Sequence, residues 1–184
     1  MPWPEVVSAS KLSNSFLGNL IEICIVTLGH RRVMEGLVGL GLGPWRIHTF
    51  DSATVTERTY RGELADYVLK VCFADADNVV WEIMEPVEGP TILQEFLDQH
   101  GEGVHHVAFD CENLPWDQRL AEFKARGHAL TQSGKFAGAN SFAFFDTEST
   151  TTTTIETLLI PAGFAWPEPE EWFPGPPPSG ERSA

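Results

Sequence analysis

The sequence predicts an α+β protein made of two βαβββ modules, which would share one cup-shaped mixed β-sheet if they pack side by side. Two observations predict this fold. Residues 103–110 (GVHHVAFD) alternate between two faces as a β-strand does, with Val104 and His106 on one face and His105 on the other. A stretch with helical spacing follows, and the helix is expected to cover the face of His105. The same order of elements, one strand, one helix and three strands, also occurs earlier in the chain. This is an internal repeat of pattern and not of residue identity.

The first module is expected over residues 19–90, after an irregular lead-in at residues 1–18. Residues 19–27 are rich in β-branched side chains and predict a strand. Apolar residues at helical spacing predict a helix over 30–42, with Gly41 and Gly43 ending it. The polar stretch 52–66 is expected to form a long hairpin loop. Three further strands are expected at 45–51, 67–74 and 78–85.

A linking helix at residues 91–102 is expected to lead into the second module, residues 103–162. Within it, Asn113 is predicted to cap a helix that Gly127 ends. Three strands are expected after that helix, at 128–135, 139–146 and 152–160. The tail, residues 163–184, is rich in proline and acidic, so it is expected to be extended. Its tryptophans favour docking on the body of the protein, or on a partner subunit of a homodimer.

The amino-acid composition disfavours several classes of function. Twenty-six Asp and Glu against twelve Lys and Arg give a net charge of −14, which disfavours binding to nucleic acid or to an anionic membrane surface. No apolar run reaches the ~20 residues that a membrane-spanning helix needs. The three cysteines lie in apolar runs, which is typical of buried thiols in a reducing compartment. With no signal peptide at Met1, the expected location is the cytoplasm.

Four polar residues lie inside otherwise apolar strands at equivalent places in the two modules. By order of elements, Glu22 corresponds to His106 and Glu82 to Glu156. Any one of them alone suits a solvent-facing position of a half-exposed sheet. If the modules form a cup, however, the four side chains converge, and three neighbouring carboxylates repel one another unless a proton or a cation intervenes. A divalent cation is therefore expected, and Mg²⁺, Mn²⁺, Fe²⁺, Co²⁺, Ni²⁺ and Zn²⁺ all remain open.

The two βαβββ repeats and the strand GVHHVAF resemble the vicinal oxygen chelate superfamily, in particular methylmalonyl-CoA epimerases and glyoxalase I. The resemblance covers residues 19–160. It implies a metal held by four side chains, for which His106, Glu82 and Glu156 match the family positions. Glu22 departs from the pattern, because His or Gln is usual there.

The resemblance implies an isomerase, an epimerase or a lyase that moves a proton beside a metal-chelated carbonyl. Glu156 matches the family's combined metal ligand and base, and Glu22 offers a second base. A further base in the loop after the second strand would have to be Glu57 or Glu63. Two alternatives stay open, a ligand-binding protein of the resistance type and an Fe(II) dioxygenase, although the latter normally needs two histidines.

The substrate is expected to be a small neutral or aromatic oxygenated compound. The chain has no basic cluster and no phosphate-binding glycine loop that would hold coenzyme A. Side chains predicted to line the pocket are Arg46, His48, Tyr60, Tyr67, Phe142 and Phe144.

Overall fold

The structure is a computed structural model that describes residues 16–112 and 114–178. The helices are α1 (His30–Gly39), α2 (Ile92–His100), α3 (Trp116–Ala125) and α4 (Glu148–Thr151). The strands are β1 (Leu20–Val26), β2 (Trp45–Phe50), β3 (Val55–Tyr60), β4 (Glu63–Leu64), β5 (Val68–Ala76), β6 (Val79–Glu88), β7 (Gly103–Asp110), β8 (Leu130–Phe136), β9 (Asn140–Phe145), β10 (Thr154–Leu159) and β11 (Glu171–Phe173).

One curled sheet contains all of these strands, in the order β11-β2-β5-β6-β1-β7-β10-β9-β8-β3-β4. Within each module the first strand pairs in parallel with the last, β1 with β6 and β7 with β10. The modules join where β1 and β7 pair antiparallel. The predicted α+β class with one shared mixed sheet is therefore confirmed.

The stretch 52–66, expected to be a hairpin loop, contains two strands. Strand β3 leaves β2 after a short turn and pairs antiparallel with β8, at the far edge of the sheet. The side chains of Phe50 and Phe136 stack across this junction, with ring centroids 4.4 Å apart. Gly134 allows the close approach, since a Cβ atom there would lie 2.8 Å from Val55 and 2.5 Å from Phe142. The insertion thereby links the two edges of the cup, which composition alone did not indicate.

The main hydrophobic core fills the inside of the curled sheet and takes side chains from both modules, including Val26, Phe50, Leu69, Phe136 and Phe144. Two smaller cores cover its outer face. One packs Met34 of α1 against Trp45, and the other packs Phe123 of α3 against Phe145. The cup interior is thus apolar, and any charged group inside it has little access to water.

Several element ends differ from their expected positions. Helix α1 ends at Gly39, and Thr91 caps α2 by accepting a hydrogen bond from the backbone N–H of Gln94. The expected strand at 152–160 begins only at Thr154, because the preceding threonines form the short helix α4. Helix α3 begins after Pro115 without a side-chain cap. Asn113, the predicted cap, lies outside the described residues, as do residues 1–15 of the lead-in.

The proline-rich tail docks on the body of the protein. Strand β11 adds to the sheet beside β2, where Glu171 pairs with Ile47 and Phe173 with Trp45. Two ion pairs anchor it, Lys70 to Glu170 at 2.7 Å and Arg31 to Glu171 at 2.7 Å. Within residues 16–112 and 114–178, no helix is long and apolar enough to cross a membrane.

Candidate metal centre and cavity

The pairing of β1 with β7 brings Glu22 next to His106. In this ladder Glu22 lies opposite Ala108, and Cys24 lies opposite His106. Side chains two residues apart on a strand share a face, so Glu22 and His106 are diagonal neighbours on the concave face. Both are buried.

A β-bulge in β7 changes the alternation that the sequence predicted. Cys24 pairs with His106 but Ile25 pairs with Val104, which leaves His105 as the extra residue. Val104, expected on the face of His106, is therefore 54% exposed. His105 lies away from the cup, as expected, although it packs against Phe96 of α2, with ring centroids 4.9 Å apart, and not under the following helix.

The parallel pairs supply the other two side chains. Glu82 of β6 lies opposite Cys24, and Glu156 of β10 lies opposite Ala108. The two modules are thus equivalent about the β1–β7 contact, with Glu22 matching His106 and Glu82 matching Glu156. One donor atom of each of the four residues lies within 4.8 Å of the others.

The imidazole of His106 lies between two carboxylates. Its Nε2 is 3.1 Å from Oε2 of Glu82 and 3.2 Å from Oε2 of Glu156. A nitrogen with one hydrogen donates well to only one of them, and the contact with hydrogen-bond geometry is the one to Glu82. Oε2 of Glu156 is consequently left buried without a hydrogen-bond partner in the described part of the chain.

Burial and mutual repulsion shift the acid–base equilibria of this cluster. Burial, reinforced by the charges of Glu82 and Glu156, raises the pKa of Glu22 well above its usual value. Burial also raises the pKa of Glu156 to about 7, although His106 opposes the shift. Burial alone would lower the pKa of His106, but the adjacent Glu156 and Glu82 outweigh it and raise that pKa to about 9.

The donor set fits a divalent cation. Two unit charges 4.8 Å apart repel by about 3.5 kcal/mol at an effective dielectric constant of about 20, and three carboxylates make three such pairs. A cation bound here would remove this repulsion and would also supply a partner for Oε2 of Glu156. Three carboxylate oxygens and one imidazole nitrogen are a common ligand set for borderline and hard divalent metals.

Two residues at this centre were missed in the sequence. Cys24 presents its thiol to Glu82 and His106, and these three donor atoms also lie within 4.8 Å of one another. Its position two residues after Glu22 on the same strand face was the available signal. His105 was taken only as a helix-side residue, yet its Nδ1 lies 2.8 Å from Nδ1 of His106. The bulge that creates this contact has no clear signal in the sequence.

A cavity of about 340 Å³ opens above the cluster. Glu22, Glu82 and Glu156 are at its floor, and the walls are mostly aromatic and aliphatic. Of the six residues predicted to line a pocket, Arg46, Phe142 and Phe144 do so.

The other three predicted pocket residues lie elsewhere, which corrects the expectation for them. His48 is buried among Phe73 and Phe136, and the Tyr67 hydroxyl donates to the backbone carbonyl of Ser133. The Tyr60 hydroxyl donates to Glu95 of α2. Each of these side chains packs or hydrogen-bonds within the protein, and strand alternation alone does not distinguish such a residue from one that lines the cavity.

The two loop acids considered as further bases are both exposed. Glu57 forms an ion pair with Lys135 at 2.8 Å, and Glu63 lies in the outermost strand β4. Neither lines the cavity above the cluster.

Comparison with known proteins agrees with this geometry. The family model described as the glyoxalase/bleomycin resistance protein/dioxygenase superfamily matches residues 22–145, which is more than half of the chain. The chain belongs to this superfamily. A Bacillus subtilis relative, the uncharacterized protein YqjC, is 30% identical over 97 residues, or 52% of this chain and 67% of the relative.

Solved structures of the same fold include methylmalonyl-CoA epimerases. The enzyme from Mycobacterium tuberculosis aligns with a TM-score of 0.60 and 13% identity, covering 86% of this chain and 95% of that one. A Streptomyces coelicolor methylmalonyl-CoA epimerase variant in complex with 2-nitronate-propionyl-CoA aligns with a TM-score of 0.52 and 16% identity. The alignment covers 78% of this chain and 97% of that one. The hypothetical protein BH1468 from Bacillus halodurans C-125 aligns with a TM-score of 0.57 and 20% identity, and the alignment covers 81% of this chain and 98% of that one. At these identities the likeness concerns the fold alone.

We predict that the metal-free protein loses stability as pH rises from 5 to 9. A raised folded-state pKa means that the folded chain holds its proton more tightly than the unfolded chain. The resulting stabilisation is present at low pH and is lost as pH rises through about 7 for Glu156 and about 9 for His106. The thermal midpoint in EDTA should fall by about 5 °C or more over this range, and Mn²⁺ should restore it.

Glu22→Gln should reduce this loss, because it removes one of the three carboxylates. Glu57→Gln is the matched control, since Glu57 is exposed and remote from the cluster, and it should behave as the wild type does. A metal-free wild type equally stable at pH 5 and pH 8, with Glu22→Gln indistinguishable from it, would show that the three carboxylates do not interact.

Proposed function

We propose that the protein is a metal-dependent enzyme that moves a proton beside the carbonyl of a small organic substrate, as an isomerase, an epimerase or a lyase does. One observation carries the proposal. Three carboxylates and one imidazole, all buried, converge at the floor of a cavity, and Oε2 of Glu156 has no hydrogen-bond partner within the described residues.

Glu22, Glu82, His106 and Glu156 would hold the metal. When bound there, a divalent cation polarises a substrate carbonyl and makes the hydrogen on the neighbouring carbon more acidic. The hydrogen bond between His105 and His106 through their Nδ1 atoms fixes the ring of His106, so that its Nε2 points at the carboxylates. The aromatic and aliphatic walls surround this floor with material of low dielectric constant, which strengthens each electrostatic contact made in it.

Glu156 is the first candidate for the base. It lines the cavity, and an oxygen without a hydrogen-bond partner is free to accept a substrate proton and to return it. Glu22 also lines the cavity and comes from β1, so the two carboxylates approach from strands separated by β7. Epimerisation needs a base on each face of the substrate carbon. This pair supplies two carboxylates at the cavity floor, as many bases as an epimerase needs.

A binding protein without catalysis is the second candidate, and one observation favours it. His106 contacts both Glu82 and Glu156, so a protonated imidazole offsets part of the negative charge without a metal. A dioxygenase is less well supported, because in the described part of the chain only one histidine reaches the cluster.

We predict that His106→Ala lowers bound Mn²⁺ well below one equivalent per chain, because the only imidazole donor is lost. His105→Phe should be milder, weakening Mn²⁺ about tenfold by releasing the ring of His106. His128→Ala, at a half-buried histidine outside the cluster, is the control and should bind as the wild type does. Metal analysis after dialysis and titration of free Mn²⁺ by electron paramagnetic resonance measure these differences. Undiminished Mn²⁺ in a folded His106→Ala protein would contradict the assignment.

We also predict that the Mn²⁺-loaded protein exchanges the hydrogens next to the carbonyl of hydroxyacetone in D₂O. Glu156→Gln should reduce this exchange by about a hundredfold or more, since the amide accepts no proton. Mass spectrometry of the recovered ketone gives the rate, and Glu57→Gln is the control. Exchange at the wild-type rate in Glu156→Gln would remove Glu156 as the base. Substrate-dependent uptake of O₂ would instead favour the dioxygenase.

A further inference from the structure

The cavity above the metal centre has a roof that comes from the C-terminal tail. Trp166 follows the last strand of the second module and lies over the mouth of the cup. Its ring contacts Phe73 of the first module, with centroids 5.7 Å apart, and Phe136 of the second, at 6.2 Å. The side chain therefore spans the opening from one module to the other.

Contacts on both sides of Trp166 hold this roof in place. On one side Phe164 packs edge-on against its ring at 5.2 Å. On the other side the backbone N–H of Glu170 donates to the carbonyl of Ile47 at 2.9 Å, and β11 follows. Arg31 lies 5.1 Å from the ring of Phe173 in this strand. These contacts on both sides hold this segment of the tail in a fixed position, as one wall of the cavity.

The walls under the roof suit a flat apolar group. Six aromatic side chains line the cavity, from the first module, the second module and the tail: Phe50, Phe73, Phe136, Phe142, Phe144 and Trp166. Trp166 keeps 40% of its surface exposed, although it is a large apolar side chain. A ring seated in the cavity would pack against the part of Trp166 that lines it, which is favourable.

The charges at the mouth disfavour an anion. Among the described residues, Arg46 is the only cationic one that lines the cavity, and Asp75 pairs with it at 2.7 Å. Glu168 lies with Asp75 and Asp77 along the groove outside. Coenzyme A carries several phosphate charges that need cations along this path, and the chain as a whole carries −14. A volume of about 340 Å³ is near the lower end of the roughly 300–1,000 Å³ usual for small-molecule sites.

We propose that residues 161–173 form a built-in roof and that Trp166 makes the site select an uncharged substrate with an aromatic ring next to its carbonyl. The carbonyl rests on the proposed function, whereas the ring and the absence of charge rest on the walls and the mouth. This substrate class differs from the coenzyme A compound named in the complex of the Streptomyces coelicolor epimerase variant.

Calorimetric titration of the full chain with four probes tests the proposal, in excess Mn²⁺ and again in EDTA. The probes are 2-hydroxyacetophenone, which has the ring and no charge, hydroxyacetone, which lacks the ring, mandelate, which adds a carboxylate, and methylmalonyl-CoA. We expect 2-hydroxyacetophenone to bind about tenfold or more tightly than each of the others. Equal affinity with and without the ring, or tightest binding of methylmalonyl-CoA, would overturn the proposal.

Two tryptophans of the tail make a matched pair. Trp166→Ala should weaken 2-hydroxyacetophenone about tenfold and leave hydroxyacetone within about twofold, because only the ring contacts the roof. Trp166→Phe should retain most of the affinity, which guards against a folding defect. Trp172→Ala is the control, since Trp172 lines the outer groove and not the cavity. Equal effects of Trp166→Ala and Trp172→Ala would overturn the role of Trp166.

The outcomes separate this proposal from the proposed function. Loss of the ring preference with Mn²⁺ binding and hydrogen exchange intact would overturn the substrate class alone. A ring preference that persists in EDTA, in a chain that binds no Mn²⁺, would support the roof and overturn the metal-dependent function.

Discussion

The antiparallel pairing of β1 with β7 is the contact on which the rest of the site depends. It joins two four-stranded units into one curled sheet and fixes their register, with Cys24 opposite His106. Because side chains alternate between the two faces of a strand, a slip of one residue would turn Glu22 or His106 out of the cup. The same register aligns β6 and β10 through their parallel pairs, so it also positions Glu82 and Glu156. One ladder therefore sets four side chains from four strands.

Placing three carboxylates in an apolar cup is costly, and the fold tolerates it in a specific way. His106 shares its Nε2 with Glu82 and Glu156, and raised carboxyl pKa values allow protons to offset the remaining charge. Oε2 of Glu156 has this ion-pair contact with His106 at 3.2 Å but no hydrogen bond within the described residues, and a poorly satisfied buried acceptor costs about 1–3 kcal/mol. Such a cluster is electrostatically unfavourable, and a bound cation would relieve the repulsion. The proposed metal binding and the predicted loss of stability at high pH would thus have the same physical origin.

How much of this could be predicted from the sequence depends on the range of the interactions involved. Alternation along single strands and the repeated order of elements were sufficient for the α+β class, the two modules and the equivalence of Glu22 with His106. Such signals are local, or they repeat along the chain. The β-bulge at His105 was not predictable, because it reflects the fit between β1 and β7 and not a preference of either strand.

The closure of the cup was missed for a related reason. Residues 52–66 are polar, and such a stretch is typical of a solvated loop. Strand β3 within it nevertheless pairs with the backbone N–H and C=O groups at the edge of β8. That edge exists only once the second module has folded. Likewise, the tryptophans of the tail predicted that it docks on the body of the protein. Its position over the cavity, however, follows from the pairing of β11 with the free edge of β2. The prediction that the pocket is lined by His48, Tyr60 and Tyr67 was wrong, because alternation indicates the face of the sheet on which a side chain lies. It does not indicate whether that part of the strand lies next to the cavity.

The measurement that tests the metal centre most directly is an anomalous difference map from crystals of the full chain grown with Mn²⁺. The account predicts one strong peak per chain among Glu22, Glu82, His106 and Glu156, about 2.0–2.3 Å from an oxygen of each carboxylate and from Nε2 of the imidazole. A map with Mn²⁺ only at exposed carboxylates, and with His106 still hydrogen-bonded to Glu82, would contradict it.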